Sequence, residues 1–223
     1  METKPLVAEF LGTFTLVFIG AGAGALAGST GAGLVGVALA HAFALTVIVY
    51  AWGAISGAHV NPAVSLSLAL VGRIPWSRAA YFIVVQLLGA AVAGFLLLWL
   101  LGPSGNLGMT LPGAGVSSIQ AVVIEAVLTF FLVTAVFGSA VAERNGSAAG
   151  LAIGLVLAMD ILMGGSLTGA SMNPARTFGP ALAMGNFDRI WIYLVGPVVG
   201  GGLAAWLYDR VILKGPSPRR RRR

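Results

Sequence analysis

An all-helical membrane protein is the fold class this sequence predicts: six spanning helices and two short re-entrant half-helices, arranged as two inverted repeats. Three observations predict it. The 223 residues are 58% hydrophobic and only 9% charged, with a mean hydropathy of +0.95, whereas a soluble domain carries about 25% charged residues. Several stretches run about 20 residues with at most one ionisable group, the length a helix needs to cross a hydrocarbon core of about 30 Å. Finally, Asn-Pro-Ala occurs twice, within "SGAHVNPAVS" at 56–65 and "TGASMNPART" at 168–177, each time after a Gly-rich turn and ahead of a short apolar run.

The first crossing is expected over 6–27. A signal peptide competes for 1–28, because "GAGAGALAG" imitates a small-residue cleavage site. Glu9 interrupts its apolar core, however, and the segment has a partner later in the chain. The second crossing covers 34–55 and the third 79–101, and between them 61–70 is far too short to span. The stretch "GPSGNLGMTLPGAGVSS" from Gly102 is uncharged and reads as a connecting loop. Crossings four, five and six follow at 119–141, 148–165 and 190–212, with a second short run at 173–183 between the last two. Runs such as "GFLLLWLL" and "IEAVLTFFLVTAVF" lack the alternation of a transmembrane β-barrel.

Internal repetition fixes the arrangement of these elements. "AEFLGTFTLVF" from Ala8 aligns with "IEAVLTFFLVT" from Ile124, pairing Glu9 with Glu125; "SGAHVNPA" aligns with "TGASMNPA", and "QLLGA" from Gln86 with "PVVGG" from Pro197. The three registers agree within a few residues. Each half holds three crossings and one Asn-Pro-Ala segment, and an odd number of crossings makes the second half enter from the opposite face. The chain divides into a first repeat at 1–105, a linking loop at 106–118, a second repeat at 119–213 and a basic tail at 214–223.

Six crossings put both termini on one side. With that side cytoplasmic it receives Lys4, Arg73, Arg78, Arg144, Arg210, Lys214 and Arg219 to Arg223, leaving Arg176 and Arg189 for the other, as the positive-inside rule requires. The net charge of +6 therefore sits in juxtamembrane loops and one tail, a poor match to nucleic-acid binding. The tail arginines are expected to be solvated, with anionic lipid as the competing partner. Cysteine is absent, which excludes disulfides and thiol chemistry.

Pro suits the first helical position and Asn caps the helix before it, so Asn61-Pro62-Ala63 and Asn173-Pro174-Ala175 open the two half-helices. Re-entrant backbone is tolerated at membrane depth only where it lines protein or water. Inversion aims the two N-termini, each worth about half a positive charge, at the midplane. That is a barrier to protons and cations in a pore for neutral molecules, and the Asn side chains can donate to a passing solute.

The paired motifs "SGAHVNPAV" and "GASMNPARTFGPA", the paired glutamates and "VGP" in the last helix resemble the aquaporin, or major intrinsic protein, family over essentially the whole chain. The resemblance implies a channel rather than an enzyme, a homotetramer with one pore per protomer, no cofactor and no metal. It also implies a selectivity filter at His41, Ile161, Ala170 and Arg176. Similar sets occur in plant vacuolar-type aquaporins, which implies passage of water with ammonia, hydrogen peroxide or urea. Glu9 and Glu125 are implied to support the re-entrant loops, and His59 is placed near the cytoplasmic half of the pore. Glycerol facilitators are the near alternative. They carry Asp where this chain has Thr177, while Leu194 beside Tyr193 departs from the two adjacent aromatics of water-type members.

Two other classes remain. A proton-coupled secondary transporter also uses inverted repeats and broken helices, with Glu9, Glu125, Asp160 and His41 as a relay. An intramembrane enzyme lacks any Ser/His, Asp-pair or metal-ligand cluster at the midplane. A cell membrane is the expected location.

Overall fold

The computed structural model describes residues 2–142 and 146–213. Arg144 and the basic tail lie outside the described residues. Eight α-helices follow in order: α1 (Thr3–Thr30), α2 (Gly33–Ser56), α3 (Pro62–Leu70), α4 (Trp76–Leu101), α5 (Ser118–Val136), α6 (Ala149–Thr168), α7 (Pro174–Met184) and α8 (Ile192–Leu207). A π-turn extends α5 to Val141 and another extends α8 to Ile212. All except α3 and α7 are long and apolar enough to cross a membrane. Since lipid offers the backbone no partner, each span satisfies its own N–H and C=O groups as a helix.

The bundle is apolar on its outside. Phe43, Val47, Trp99, Ile119 and Leu203 are all exposed, while Glu9, Gln86, Glu125, Asp160 and Asp209 are fully or almost fully buried. Polarity therefore runs inward, the distribution expected when the solvent is hydrocarbon. In one half α1 packs on α2 and α4; in the other, α5 packs on α6 and α8, and α2 against α6 joins the two.

Small residues set how closely these helices approach. A Cβ at Gly89 would overlap the Phe10 carbonyl of α1, and one at Gly200 would overlap the Ala126 carbonyl of α5. These two glycines occupy matching places in the repeats, so α1–α4 and α5–α8 close by the same device. Gly20, Gly24, Gly196 and Gly200 all meet atoms of their own chain, so these four glycines serve contacts inside the protomer.

The linking segment departs from the expected simple loop. Ser104–Gly108 makes a turn whose residues Gly105, Asn106 and Leu107 have positive φ, and Leu107 is fully buried. Gly105 and Gly108 lie so close to the backbone of Ala25 and Ala21 in α1 that a side chain has no room. The absence of side chains in "GPSGNLG" thus lets the segment fold back into the bundle instead of only bridging the repeats.

At the end of the bundle where α3 leads into α4, Asp209, wholly buried in the turn that extends α8, accepts from Arg73 at 2.7 Å from Nε. That ion pair ties the loop after α3 to the end of the last span.

Candidate functional site

Both half-helices start as their sequences dictate. Pro62 and Pro174 occupy the first turn, where a missing N–H leaves nothing unpaired. Asn61 Oδ1 accepts from the Ala63 amide at 2.8 Å, and Asn173 Oδ1 accepts from Ala175 and Arg176 at 3.0 and 3.2 Å. The Asn side chains also cross between repeats: Asn61 Nδ2 donates to the Met172 carbonyl and Asn173 Nδ2 donates to the Val60 carbonyl, both at 2.8 Å. The two N-termini therefore meet, and the cross-bonds lock them. A primary amide has two N–H groups, so each Asn has one N–H beyond its cross-bond.

The loops feeding these helices are strained in the same way. Ala58, Val60, Ala170 and Met172 adopt positive φ between 43° and 53°, a region disfavoured for side chains with a Cβ. Two buried glutamates hold them there. Glu9 accepts from Ser56 Oγ at 2.6 Å, the amides of His59 and Val60 at 2.9 and 2.7 Å, and Gln86 Nε2 at 2.7 Å. Glu125 accepts from Thr168 Oγ1 at 2.7 Å and the amides of Ser171 and Met172 at 2.9 and 2.7 Å. With the Val60 and Met172 N–H groups turned to a carboxylate, the carbonyls of these two residues accept from the Asn of the opposite repeat.

A cavity of about 450 Å³ runs from Arg73, Ile74 and Arg78 at one mouth, past Asn61 and Asn173, to His41 and Arg176. Its remaining wall is largely aliphatic, including Leu16, Val49, Val64, Leu132 and Ile153. His59 lines it too, with Nδ1 at 3.0 Å from Ser65 Oγ and its ring edge-on to Phe82. A hydrogen bond and an aromatic contact fix that ring in one orientation.

Of the four positions expected to form the filter, His41 and Arg176 line the end of this cavity. Arg176 is almost fully buried; its Nη1 donates to the Gly108 carbonyl at 2.6 Å and its Nε to His41 Nε2 at 3.4 Å. The His41 ring can accept there because its other nitrogen, Nδ1, lies 2.9 Å from the Val37 carbonyl and carries the proton. Gly20 makes room for this ring, since a Cβ there would overlap it. Ile161 and Ala170 are both buried, in one apolar cluster with Leu157 and Met172. The cavity wall includes His41 and Arg176 but not Ile161 or Ala170.

Asp160 is not part of that wall. Both its carboxyl oxygens are buried without a hydrogen-bond partner among the described residues. Tyr193 is also buried and donates from its hydroxyl to the Thr168 carbonyl at 2.7 Å, while Leu194 is exposed on the outside of the bundle. The missing second aromatic therefore does not touch the pore directly. No group of three or more His, Asp or Glu residues suited to a metal occurs among the described residues.

Three contributors were invisible as functional residues in the sequence. Gly108 offers only a carbonyl, and Gly20 acts by what it lacks. Gln86 did leave a signal, as a lone amide in an apolar helix aligned with Pro197.

The family model "Major intrinsic protein" matches residues 1–208. Aquaporin TIP4-1 of Arabidopsis thaliana is 46% identical over 220 residues, covering 96% of this chain and 88% of that protein. Aquaporin TIP4-4 of Zea mays is 43% identical over 219 residues, covering 94% of this chain and 87% of that protein. Among solved structures, the aquaglyceroporin from Plasmodium falciparum superposes with a TM-score of 0.87 at 26% identity, covering 95% of this chain and 97% of that one.

Proposed function

The chain belongs to the major intrinsic protein family and is a membrane channel, and we propose that its pore passes water with small neutral solutes while excluding protons and other ions. The observation that carries this reading is the reciprocal pair of Asn bonds. They hold two half-helix N-termini tip to tip beside a mostly aliphatic cavity. Positive helix ends at the narrow centre oppose cations. Two fixed amide donors, one from Asn61 and one from Asn173, bind the oxygen of a water molecule, which interrupts a file of waters donating to one another.

His41, Ile161, Ala170 and Arg176 form the outer filter in this proposal. Arg176 supplies charge and donors, while aliphatic Ile161 and small Ala170 leave an aperture suited to ammonia, hydrogen peroxide or urea. Glycerol conduction is the second reading. The Plasmodium falciparum structure that superposes on this chain is an aquaglyceroporin, and Leu194 departs from the water-type aromatic pair, whereas Thr177 in place of Asp argues against glycerol. A proton relay through Glu9 and Glu125 is disfavoured, because every carboxylate oxygen of the two already accepts from a fixed donor.

We place both termini in the cytoplasm, the assembly as a homotetramer in lipid, and the channel in the cell membrane. The likeness to plant vacuolar-type aquaporins makes an internal membrane the competing address, and membrane fractionation separates the two. Function is tested in liposomes by stopped-flow light scattering after a sucrose step, with an entrapped pH dye. Fast shrinkage with a silent dye is expected, whereas slow shrinkage with a proton flux overturns the channel reading in favour of a coupled transporter.

A further inference from the structure

The linking segment does more than join the repeats. Three contacts strap it across the outer end of the pore: the Gly108 carbonyl on Arg176 Nη1 at 2.6 Å, Thr110 Oγ1 on Thr177 Oγ1 at 2.7 Å, and the Gly113 amide on the Leu167 carbonyl at 2.8 Å. Thr110 is 2% exposed and lies against Gly169, directly before Ala170.

The direction of the hydroxyl bonds follows from proton counting. Ser171 Oγ donates to the Asn173 carbonyl at 2.9 Å, so its single proton is committed. Thr177, at 2.6 Å from Ser171 Oγ, must then be the donor in that pair. Its own proton being used, Thr177 can only accept from Thr110. One chain therefore runs from Thr110 through Thr177 and Ser171 to the backbone of Asn173, and it starts in the linking segment.

The first repeat shows which part Thr110 replaces. Ser65 occupies the place of Thr177 and accepts from Gln86 Nε2 at 3.1 Å. In the second repeat Pro197 stands where Gln86 would be and has no side-chain donor. Thr110 fills that vacancy from outside the repeat.

We propose that Thr110 is a positioning residue for selectivity: its hydroxyl pins the strap to α7 and so keeps the Gly108 carbonyl on the guanidinium of Arg176. This rests on the proposed role of Arg176 in the filter. Losing the pin frees the carbonyl, and Arg176 then swings from a single position to several, opening the aperture to larger neutral solutes.

The experiment uses the full chain in liposomes, comparing Thr110→Val, which keeps the shape and loses the hydroxyl, with Thr110→Ser, which keeps the hydroxyl. Urea and water permeabilities are measured on the same vesicles, together with amide hydrogen exchange over the strap. Thr110→Val is expected to raise the urea-to-water ratio by about fivefold, the factor that one net hydrogen bond represents. It is also expected to speed exchange at Leu107 to Met109, and Thr110→Ser is expected to restore both. Thr177→Val removes this link together with the bond to Ser171, so the double variant Thr110→Val/Thr177→Val is expected to match Thr177→Val rather than multiply the two effects. An unchanged ratio with unchanged exchange, or a Ser variant that behaves as Val, overturns the proposal. Faster exchange with an unchanged ratio also overturns it, by separating the strap from the filter. A wild type without water permeability defeats the channel reading instead, and the exchange data still report on the pin.

Discussion

The outer and inner halves of the pore share a backbone and differ in what it carries. The repeat register pairs His41 with Ile153, Ile161 with Val49, Ala170 with Ala58, and Arg176 with Val64. Ile153, Val49, Ala58 and Val64 all line the inner half of the cavity, the half that opens at Arg73 and Arg78. Four matching positions thus hold two polar side chains at one end and none at the other. The two halves differ at these positions in their side chains, since the half-helices, strained loops and glutamate braces are common to both. The inner half offers aliphatic groups at these four positions, with Arg73, Arg78 and His59 elsewhere on its wall; the outer half presents His41 and Arg176.

The braces offer the largest break in this symmetry. Replacing either glutamate by Ala leaves two buried backbone amides without an acceptor, each costing about 1–3 kcal/mol. Glu9→Ala retains Gln86, whose Oε1 has no partner and can turn to accept, whereas Glu125→Ala faces Pro197 and gains nothing. Both are expected to lower the thermal midpoint of the purified channel strongly, and Glu125→Ala to lower it further. The reverse order would remove Gln86 as the extra brace of the first half.

Next in size is Arg176→Val, which gives the outer half the residue that Val64 gives the inner. Proton flux in the entrapped-dye assay is expected to rise by about tenfold, corresponding to roughly 1.4 kcal/mol off the barrier, while water permeability persists. Unchanged proton flux would assign the whole barrier to the half-helix ends.

Much of this was legible in the chain. Six crossings, two half-helices and their inversion follow from apolar run length and the doubled Asn-Pro-Ala, because lipid leaves the backbone so few options. The observed ends differ from the expected ones by a few residues, as with α6, which reaches Thr168 instead of 165. The Asn caps and Arg176 were legible for a related reason: Asn before Pro, and Arg in hydrocarbon, each have few physical uses. The linking segment was not legible. Its contributions are a carbonyl at Gly108 and a hydroxyl at Thr110, in an uncharged Gly-rich stretch that reads as a plain connector. Nor does Asp160 announce its surroundings, since the same residue in a sequence can line a pore or, as here, be buried off the cavity wall.

Gly20 supplies the smallest and sharpest test. In the repeat register it corresponds to Val136, which lines the inner cavity. The inner half therefore fills with a valine the space that the outer half leaves for the His41 ring. A Cβ at Gly20 overlaps that ring, so Gly20→Ala is expected to push His41 off Arg176 Nε and weaken one 3.4 Å contact. Because a net hydrogen bond is worth about 0.5–1.5 kcal/mol, the urea-to-water ratio is expected to shift about two- to threefold, less than for His41→Ala. Val136→Ala, at the matching place, is expected to leave the ratio alone, since no filter side chain leans on it. Equal effects from the two substitutions would mean that the aperture responds to bundle volume in general, and that the outer half owes its selectivity to something other than the ring that Gly20 admits.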